Sequence, residues 1–288
     1  MSPRARAYAV QLVVYAAALA SAAATVTYLP IADPLWRAAV ADVVATLVVF
    51  GFSVATSNSS MYDPYWSVAP PALFAFWATT GAVSVRAMIL GGLVSVWALR
   101  LTFNFLRGFR DLSHEDWRYV DLQAQHGRRY WLVSFIGIHF FPSVLTFAGS
   151  VSLFVVLGVD AAPLGPIDAL AIAVTCLGIA YEGIADEQLR AYVRGGPPKG
   201  EWLRAGLWRN TRHPNYFGEC TFWWGLALFA CAASSTAWWV WIGPVAITLL
   251  FFFVSIPLID ARMVARRPGY AEYAKRVSRL APWFVREP

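Results

Sequence analysis

The chain has 288 residues, of which 58% are hydrophobic and only 14% are charged, and its formal net charge is +6. A soluble domain carries about 25% charged residues, so this composition excludes a protein whose whole surface faces water. We therefore predict an all-α, polytopic integral membrane protein, built as a bundle of transmembrane helices.

Apolar runs of the length that a membrane helix needs, roughly 20 residues, recur along the whole chain. We predict about eight spans, seven at the fewest, joined mostly by short linkers. In chain order they cover about residues 7–29, 36–56, 66–81, 86–106, 131–158, 166–185, 215–233 and 237–259. Longer polar stretches follow the fourth and sixth spans, and a polar tail begins at residue 260.

The basic residues are unevenly distributed between the two sides of this arrangement. With eight spans and the N-terminus inside, all of the 23 Lys and Arg residues except Arg37, Arg86 and Arg100 lie in the inward-facing segments. Cytoplasmic loops of membrane proteins carry such an excess, so both termini are predicted to be cytoplasmic. The Ala- and Arg-rich composition favours a bacterial inner membrane. Because no soluble basic domain is present, the pattern does not favour nucleic acid as a partner.

Charged and polar side chains inside apolar runs are costly and mark candidate functional sites. Arg100 and Asn104 lie four residues apart, on one face of a predicted helix. Asp63 opens the third span, and Glu182 and Asp186 lie near the end of the sixth. An interhelical ion pair is the structural alternative for each of these residues.

One histidine, His139, lies alone in an apolar run. A histidine in such a place is more often a hydrogen-bonded packing residue than a ligand. No second His, Cys or acid accompanies it at metal-ligand spacing, so the sequence predicts no metal site.

The densest polar motif covers residues 206–219, which read Gly-Leu-Trp-Arg-Asn-Thr-Arg-His-Pro-Asn-Tyr-Phe-Gly-Glu. Arg209, Arg212 and His213 offer hydrogen-bond donors to a phosphate or carboxylate. The proline after His213 suits the first turn of a helix, whose N-terminus also favours an anion. Glu219, one turn into that helix, can accept hydrogen bonds from hydroxyl groups such as those of a ribose. The motif predicts a nucleotide site at the membrane surface.

The segment from Arg212 to Glu219, preceded by Gly-Leu-Trp, resembles the C-terminal signature of the steroid 5-alpha-reductase-like membrane enzymes, in the form of bacterial-type members. Further segments match the same family at residues 63–66, 97–101, 115–119, 185–190 and 267–273. The resemblance spans roughly residues 60–285. It implies N-terminal transmembrane helices over residues 1–60, and a membrane catalytic domain with cofactor-binding loops and a cytoplasmic tail over residues 61–288.

The resemblance implies NADPH as the cofactor, and reduction of a carbon–carbon double bond conjugated to a carbonyl. The substrate is expected to be lipophilic and to enter from the bilayer. The protein then positions the reactants and excludes water, while the cofactor carries the chemistry. The residues that fall on the family's cofactor segments, or complete a cage around them, are Asn104, Arg118, Asp186, Arg190, Arg204, Arg212, His213, Asn215, Tyr216, Glu219, Arg262 and Tyr273.

For catalysis at the substrate end we predict Asp63 together with Tyr62. A carboxyl group in a low-dielectric pocket has a raised pKa and can donate a proton near neutral pH. Tyr216 and Glu219 stay open as alternative proton donors. The Asp63–Pro64 pair also has a purely structural alternative, as the cap at the start of a helix.

One departure from the family pattern leaves the substrate open. Steroid-reducing members carry a tyrosine that holds the ketone on the helix equivalent to residues 86–106, whereas residues 94–98 of this chain read Val-Ser-Val-Trp-Ala. A steroid-like lipid and a different unsaturated lipid are therefore both open as substrates. The oligomeric state is open as well.

Two other classes of protein share parts of these patterns. The Arg-His-Pro-x-Tyr core also occurs in S-adenosylmethionine-dependent membrane methyltransferases of isoprenylcysteine or phospholipid type, although the segments around Asp186 and at 116–118 favour the reductase. A non-catalytic lipid-binding membrane protein with the same fold is the second alternative. A spectral change of the cofactor separates the reductase from the methyltransferase, and the lipid-binding protein predicts no turnover with either cofactor.

Overall fold

The computed structural model describes residues 1–159 and 163–285. Over these residues the secondary structure is helical, and the sole β contact is an isolated bridge between Thr211 and Ser278. The predicted all-α fold is therefore confirmed.

The chain divides into two compact units, Met1–Ala161 and Ala162–Pro288, which we call unit 1 and unit 2. Each unit has its own packed helices and its own candidate site. The division predicted at residue 60 rests on the family resemblance and stays a prediction.

Unit 1 consists of helices joined by short turns: α1 (Pro3–Tyr28), α2 (Pro34–Thr56), α3 (Tyr65–Ala78), α4 (Val85–Gly108), α5 (Trp117–His126), α6 (Tyr130–Ser134) and α7 (Phe141–Val159). A 3₁₀ turn, Ser59–Tyr62, joins α2 to α3. A π-helical segment, Phe135–Phe140, joins α6 to α7. Segments of this kind are rare in proteins, and those that occur are often found at functional sites. This one carries His139.

Unit 2 has two long helices, two shorter ones and a tail helix: α8 (Pro166–Arg194), α9 (Pro214–Ala233), α10 (Ile242–Leu250), α11 (Ile256–Arg266) and α12 (Tyr270–Arg276). The 3₁₀ turns Gly206–Arg209 and Ala237–Trp241 precede α9 and α10. A second π-helical segment, Phe251–Ser255, joins α10 to α11.

Local sequence explains where the long helices begin. The Asp33 carboxylate accepts a hydrogen bond from the Leu35 N–H at 2.8 Å. Pro34 occupies the first turn of α2, where a backbone N–H would have no partner inside the helix, so the missing N–H of proline costs nothing. Ser2 and Ser84 cap α1 and α4 in the same way. Such caps satisfy backbone N–H groups that have no partner inside the helix.

Within the described part of the chain, six helical stretches are long and apolar enough to cross a bilayer: Pro3–Tyr28, Pro34–Thr56, Val85–Gly108, Trp117–Gly158, Pro166–Arg194 and Ala237–Arg266. The chain is therefore a multi-pass integral membrane protein. The other two predicted spans form α3 and α9, but α3 has only 14 residues, fewer than the roughly 20 that a span needs. The count of eight and the cytoplasmic termini stay predictions.

Close packing of α8 on α9 organises unit 2. A Cβ atom on Gly178 would lie 2.5 Å from the backbone nitrogen of Phe222, and one on Gly218 would lie 2.5 Å from that of Glu182. Small residues at these crossings let the two backbones approach each other, as they do in other membrane helix pairs. The polar motif at the start of α9 is thereby held against the end of α8.

Candidate functional site

A large apolar cavity of about 1110 Å³ lies in unit 1 between α1, α2, α3 and α4. Small-molecule sites typically measure about 300–1,000 Å³, so this cavity is large enough for a lipid. Its walls are mostly apolar, with alanine the commonest lining residue, and the polar side chains among them are Arg37, Asp42, two tyrosines and several serines and threonines. These groups decide where a polar atom of a ligand can lie.

The main polar feature of this wall is a carboxyl–phenol pair. The Tyr65 hydroxyl lies 2.8 Å from Asp42 Oδ1 and donates to the Asp42 carbonyl at 2.9 Å. Both side chains line the cavity and are more than nine-tenths buried. The Tyr62 ring stacks on Tyr65 with the ring centroids 5.0 Å apart. Asp42 was missed by the sequence reasoning, although a lone acid in the second apolar run was a signal for it.

The predicted catalytic residues lie beside this pair, at the turn between α2 and α3. Asp63 accepts a hydrogen bond from the Tyr119 hydroxyl at 2.8 Å, and the Tyr62 and Ser143 hydroxyls are 2.8 Å apart. Burial, and then the nearby Asp116 carboxylate, raise the pKa of Asp63 to about 7, although its hydrogen bond and a nearby arginine act the other way. Neither Tyr62 nor Asp63 is among the residues that line the cavity. Their catalytic role stays a prediction.

A buried chain of hydroxyl groups surrounds His139 in unit 1. Its Nε2 lies 2.9 Å from Ser53 Oγ, and its Nδ1 lies 3.0 Å from the Ser134 carbonyl. Ser134 Oγ is 2.9 Å from Ser59 Oγ, which is 2.6 Å from the Tyr130 hydroxyl. The predicted reading of His139 as a hydrogen-bonded packing residue agrees with this geometry.

Two predicted cofactor residues belong to unit 1. Asn104 lies near the end of α4, where its Oδ1 is 3.5 Å from Arg107 Nη2. Arg118 begins α5 and forms a bidentate ion pair with Asp116, with both N–O distances 2.8 Å. The positive charge of Arg118 is therefore partly neutralised by Asp116, the N-cap residue of the same helix.

The polar motif of unit 2 meets the tail at Asp260. The Asp260 carboxylate lies 3.2 Å from Arg212 Nη2 and 3.2 Å from His213 Nε2, and it accepts a hydrogen bond from the Tyr270 hydroxyl at 3.0 Å. Arg212 is 7% exposed. Its Nε atom has no hydrogen-bond partner within residues 1–159 and 163–285. The structure thus leaves one buried donor of Arg212 without a partner in the described part of the chain.

Backbone pairing holds the tail against the start of α9. The Arg212 N–H donates to the Ser278 carbonyl at 2.9 Å, and the Thr211 hydroxyl donates to the Leu280 carbonyl at 2.8 Å. The His213 ring stacks on Tyr216 at 5.7 Å. These contacts bring two segments that are far apart in sequence into one polar surface.

A second cavity of about 640 Å³ lies beside this surface in unit 2. Three arginines, Arg204, Arg209 and Arg276, and two glutamates, Glu201 and Glu272, line it. The Arg204 guanidinium lies 4.8 Å from the centre of the Trp202 ring, and that ring contacts Tyr273 at 5.4 Å. The size suits a cofactor, and the arginine–aromatic lining suits a phosphorylated, planar ligand.

Two residues that line this second cavity were predicted to bind the cofactor, and three further lining residues were not. Arg204 and Tyr273 were assigned from the family resemblance, and Arg209 was noted as a donor without being assigned to the cofactor. Trp202 and Arg276 were missed as cofactor residues, because nothing in their local sequence distinguishes them from other loop and tail residues.

The remaining predicted cofactor residues of unit 2 lie on its helices. Glu219 is buried in α9 and accepts a hydrogen bond from the Trp223 indole at 2.9 Å. Arg190 lies near the end of α8, with its Nε atom 3.6 Å from Glu187 Oε1. Asp186 lies on α8, Asn215 near the start of α9 and Arg262 on α11.

The loop that carries these arginines is tied to α8. The Leu207 N–H donates to Gln188 Oε1 at 3.0 Å, and the Trp208 indole donates to the Ala185 carbonyl at 3.0 Å. The residues around Asp186 and the motif at 206–209 therefore form one connected region of unit 2.

Comparison with known proteins relates the chain to proteins without an assigned activity. The family described as "Protein of unknown function (DUF1295)" matches residues 49–277. A relative from Schizosaccharomyces pombe, "Uncharacterized protein C594.04c", is 29% identical over 264 residues, which cover 82% of this chain and 76% of the relative. No solved structure matches the chain.

Proposed function

The chain belongs to the DUF1295 family, which includes steroid 5-alpha-reductase-like proteins, and on that premise we propose that it is a membrane-embedded, NADPH-dependent reductase. Its proposed reaction is the reduction of a carbon–carbon double bond conjugated to a carbonyl in a lipophilic substrate. The observation that carries the proposal is the carboxyl–phenol pair, Asp42 and Tyr65, on the wall of a lipid-sized apolar cavity.

The cavity supports a lipid substrate because of what lines it. Its walls belong to helices that are long and apolar enough to lie in a bilayer, which favours entry of a substrate from the membrane. An apolar substrate gains free energy from such a pocket in proportion to the area that it removes from water. Among the polar groups of the lining, Asp42 and Tyr65 form the buried carboxyl–phenol pair, and we assign the substrate carbonyl to this pair.

The carboxyl–phenol pair suits the chemistry at the carbonyl oxygen. When a hydride adds to the β-carbon of an enone, negative charge develops on that oxygen. The Tyr65 O–H donates to Asp42 in this structure and would turn to the substrate oxygen on binding, where a hydrogen-bond donor stabilises the developing charge. The proton that completes the reaction goes to the α-carbon. Asp63, whose pKa is about 7, is the predicted source of that proton at neutral pH.

Unit 2 fits the phosphate-bearing part of a dinucleotide. Arg212 Nε and Trp202 Nε1 are buried donors without a hydrogen-bond partner in the described part of the chain. Three further arginines line the neighbouring cavity. When bound, NADPH would supply the hydride. The residues of unit 2 that would hold its phosphates by charge-assisted hydrogen bonds are Arg204, Arg209, Arg212 and Arg276.

The proposal is tested first by thermal unfolding of the detergent-purified protein with NADPH, NADH or S-adenosylmethionine. A ligand that binds only the folded state stabilises it by about 2.7 kcal/mol at a hundredfold excess over its dissociation constant. We expect NADPH to stabilise the protein most, and enone lipids to be reduced with loss of the NADPH absorbance. Stabilisation by S-adenosylmethionine alone would overturn the reductase and favour a methyltransferase.

A further inference from the structure

Arg37 gives the large cavity of unit 1 a positive charge. Among the residues that line this cavity, all of which lie in the described part of the chain, it alone is a lysine or arginine. It is the fourth residue of α2, and it is half-buried. A cation beside apolar surface is unfavourable unless water or an anion solvates it. The cavity therefore has one place, near the start of α2, that favours a negatively charged group.

Two contacts fix the position of the Arg37 guanidinium. Its Nε donates to the Ile31 carbonyl at 2.6 Å, and its Nη2 lies 3.5 Å from the Ala32 carbonyl. Its Nη1 is not a buried atom and has no hydrogen-bond partner in the described residues. No carboxylate of those residues forms an ion pair with Arg37. One edge of this guanidinium is thus accessible to an anion.

The hydroxyl groups at the same end of the cavity offer no comparable donor. This end is formed where α1 and α3 finish and α2 begins, and the Trp77 indole joins α3 to α2 by donating to the Pro34 carbonyl at 3.2 Å. Each threonine hydroxyl here already donates to a backbone carbonyl three or four residues earlier in the chain. The threonines are Thr27, Thr79 and Thr80. Arg37 is therefore the donor that a ligand meets at this end.

The charged end of the cavity is separated from the carboxyl–phenol pair along the helix axis. Arg37 and Asp42 are five residues apart on α2, which corresponds to about 7.5 Å at a rise of 1.5 Å per residue. Helical side chains lean toward the N-terminus of their helix, and the guanidinium of Arg37 lies beside the linker before α2. An elongated ligand can therefore place one polar group at each of the two levels.

We propose that the unit 1 cavity binds a single-chain lipid acid whose carboxylate lies on Arg37. Guanidinium groups bind carboxylates by charge-assisted hydrogen bonds. A phosphate monoester carries about −1.5 to −2 charges at neutral pH, and one arginine balances only a single negative charge, so a carboxylate fits better. The inference rests on the proposed function, in which the enone carbonyl lies at Asp42 and Tyr65. The substrate class is then an enone lipid that also carries a carboxylate.

A phospholipid headgroup of the surrounding bilayer is the competing partner of Arg37, since arginines near helix ends commonly extend to the membrane interface. The cavity volume of about 1110 Å³ is close to that of small-molecule sites, which favours a ligand with one chain over a phospholipid with two. The two explanations differ in the effect of the ligand's charge. A headgroup that occupies Arg37 makes an enone acid and its methyl ester bind alike.

The experiment measures the affinity of the detergent-purified full chain for a series of enone lipid acids and their methyl esters, by calorimetry at neutral pH without NADPH. The series varies the number of carbons between the ketone and the carboxylate. We expect the wild type to bind the acid about 10- to 100-fold more tightly than the ester at the best spacing, as expected for a hydrogen bond to a charged group.

Arg37→Gln should reduce that ratio to about one and leave the affinity for the ester unchanged. The glutamine amide can still donate a hydrogen bond to the Ile31 carbonyl, so the variant keeps a link between α2 and the linker before it. Arg37→Lys keeps the positive charge and should retain part of the preference for the acid. This second variant also tests the charge if Arg37→Gln does not fold, because a lysine lacks the planar fork that binds a carboxylate with two hydrogen bonds.

Arg6→Gln is the matched control. Arg6 is an exposed arginine on α1 that does not line the cavity, so this variant should keep the preference of the wild type for the acid. Equal affinities for every acid–ester pair in the wild type, or a preference that survives in Arg37→Gln, would overturn the assignment of Arg37. Stabilisation by phosphatidylglycerol over phosphatidylcholine nanodiscs that Arg37→Gln abolishes, in a protein that binds acid and ester alike, would assign Arg37 to bilayer headgroups instead.

The result is separable from the proposed function. NADPH-dependent turnover of enone lipids without a preference for the acid would refute the role of Arg37 alone. A preference for the acid that depends on Arg37, in a protein that oxidises no NADPH, would refute the reductase alone.

Discussion

The cavities of unit 1 and unit 2 differ in how polar groups are distributed. The unit 1 cavity has mostly apolar walls, which include one buried carboxyl–phenol pair, Asp42 and Tyr65. The unit 2 cavity has three arginines in its lining, and the buried Arg212 lies beside it with an ion pair to Asp260.

This difference predicts how each site responds to mutation. In an apolar, water-excluded cavity an electrostatic interaction is weakly screened, so a single donor has a large effect. In an exposed cluster several cations share the attraction of one anion, and solvent and salt screen each of them. Single substitutions should therefore be severe in unit 1 and graded in unit 2.

The largest expected effect is that of Tyr65→Phe. Removing one donor to a developing oxyanion lowers kcat about 10²–10³-fold, and NADPH should stabilise the variant as it stabilises the wild type. Single-turnover kinetics with an enone lipid check this. Tyr8→Phe is the control, because the Tyr8 hydroxyl donates to the Leu106 carbonyl at 2.6 Å outside the cavity. Equal kcat values for wild type and Tyr65→Phe would contradict the expectation that single substitutions are more severe in unit 1 than in unit 2.

Arg212→Ala should have the next largest effect. Loss of a charge-assisted hydrogen bond to a phosphate weakens NADPH binding about 10- to 100-fold, whereas binding of an enone lipid in unit 1 should not change. Calorimetric titration with each ligand measures both. Arg266→Ala, an exposed arginine at the end of α11, is the control for lost positive charge. Wild-type affinity for NADPH in the Arg212 variant would contradict the site assigned to unit 2.

The pH dependence should report Asp63. Its pKa is raised to about 7 by burial, from about 3.9 in an unfolded chain, so the folded protein holds this proton more tightly. The stability that the group contributes is fully present below about pH 4 and is lost as the pH rises through about 7. If Asp63 supplies the proton, kcat also falls about tenfold per pH unit above 7.

Asp63→Asn should remove this part of the pH dependence of the melting temperature, and Asp121→Asn, an exposed substitution on α5, should not. A pH profile of the Asp63 variant identical to that of the wild type would assign the proton to another group.

The smallest expected effect is that of Arg209→Ala. Arg209 is an exposed member of the arginine cluster, so its removal should weaken NADPH binding only about two- to fivefold, as expected for an exposed ion pair. The difference should shrink as salt is added. Arg194→Ala, at the end of α8 and outside the cavity lining, is the matched control. A loss of NADPH affinity as large as that of Arg212→Ala would show that the arginines of the cluster do not contribute jointly to binding.

Hydropathy and spacing predicted much of this molecule. The apolar runs predicted the all-α membrane fold, because burying a backbone in lipid requires helices whose polar groups are satisfied internally. The motif from Arg212 to Glu219 predicted a polar site at the start of α9, because proline and the residues around it act locally. Hydropathy did not predict the length of α3, which has two internal prolines and only 14 residues.

Pairings between helices lay beyond the reach of local patterns. Asp42 and Tyr65 are 23 positions apart in the sequence, and no periodicity indicates that their side chains meet. The same holds for Arg212 and Asp260, and for the position of Trp202 beside the arginines of the second cavity. Packing of whole helices decides such contacts, because side-chain volume and close backbone approach act between segments.

The sequence by itself determined that this protein is a helical membrane protein with a basic motif at the start of α9, since composition, hydropathy and short-range spacing depend only on neighbouring residues. The tertiary structure decided which polar groups meet and which line a cavity: Asp42 with Tyr65, Arg212 with Asp260, and Arg37 in the lining of the unit 1 cavity. The physical reason is that a polar group in an apolar interior acquires its function from the groups packed against it.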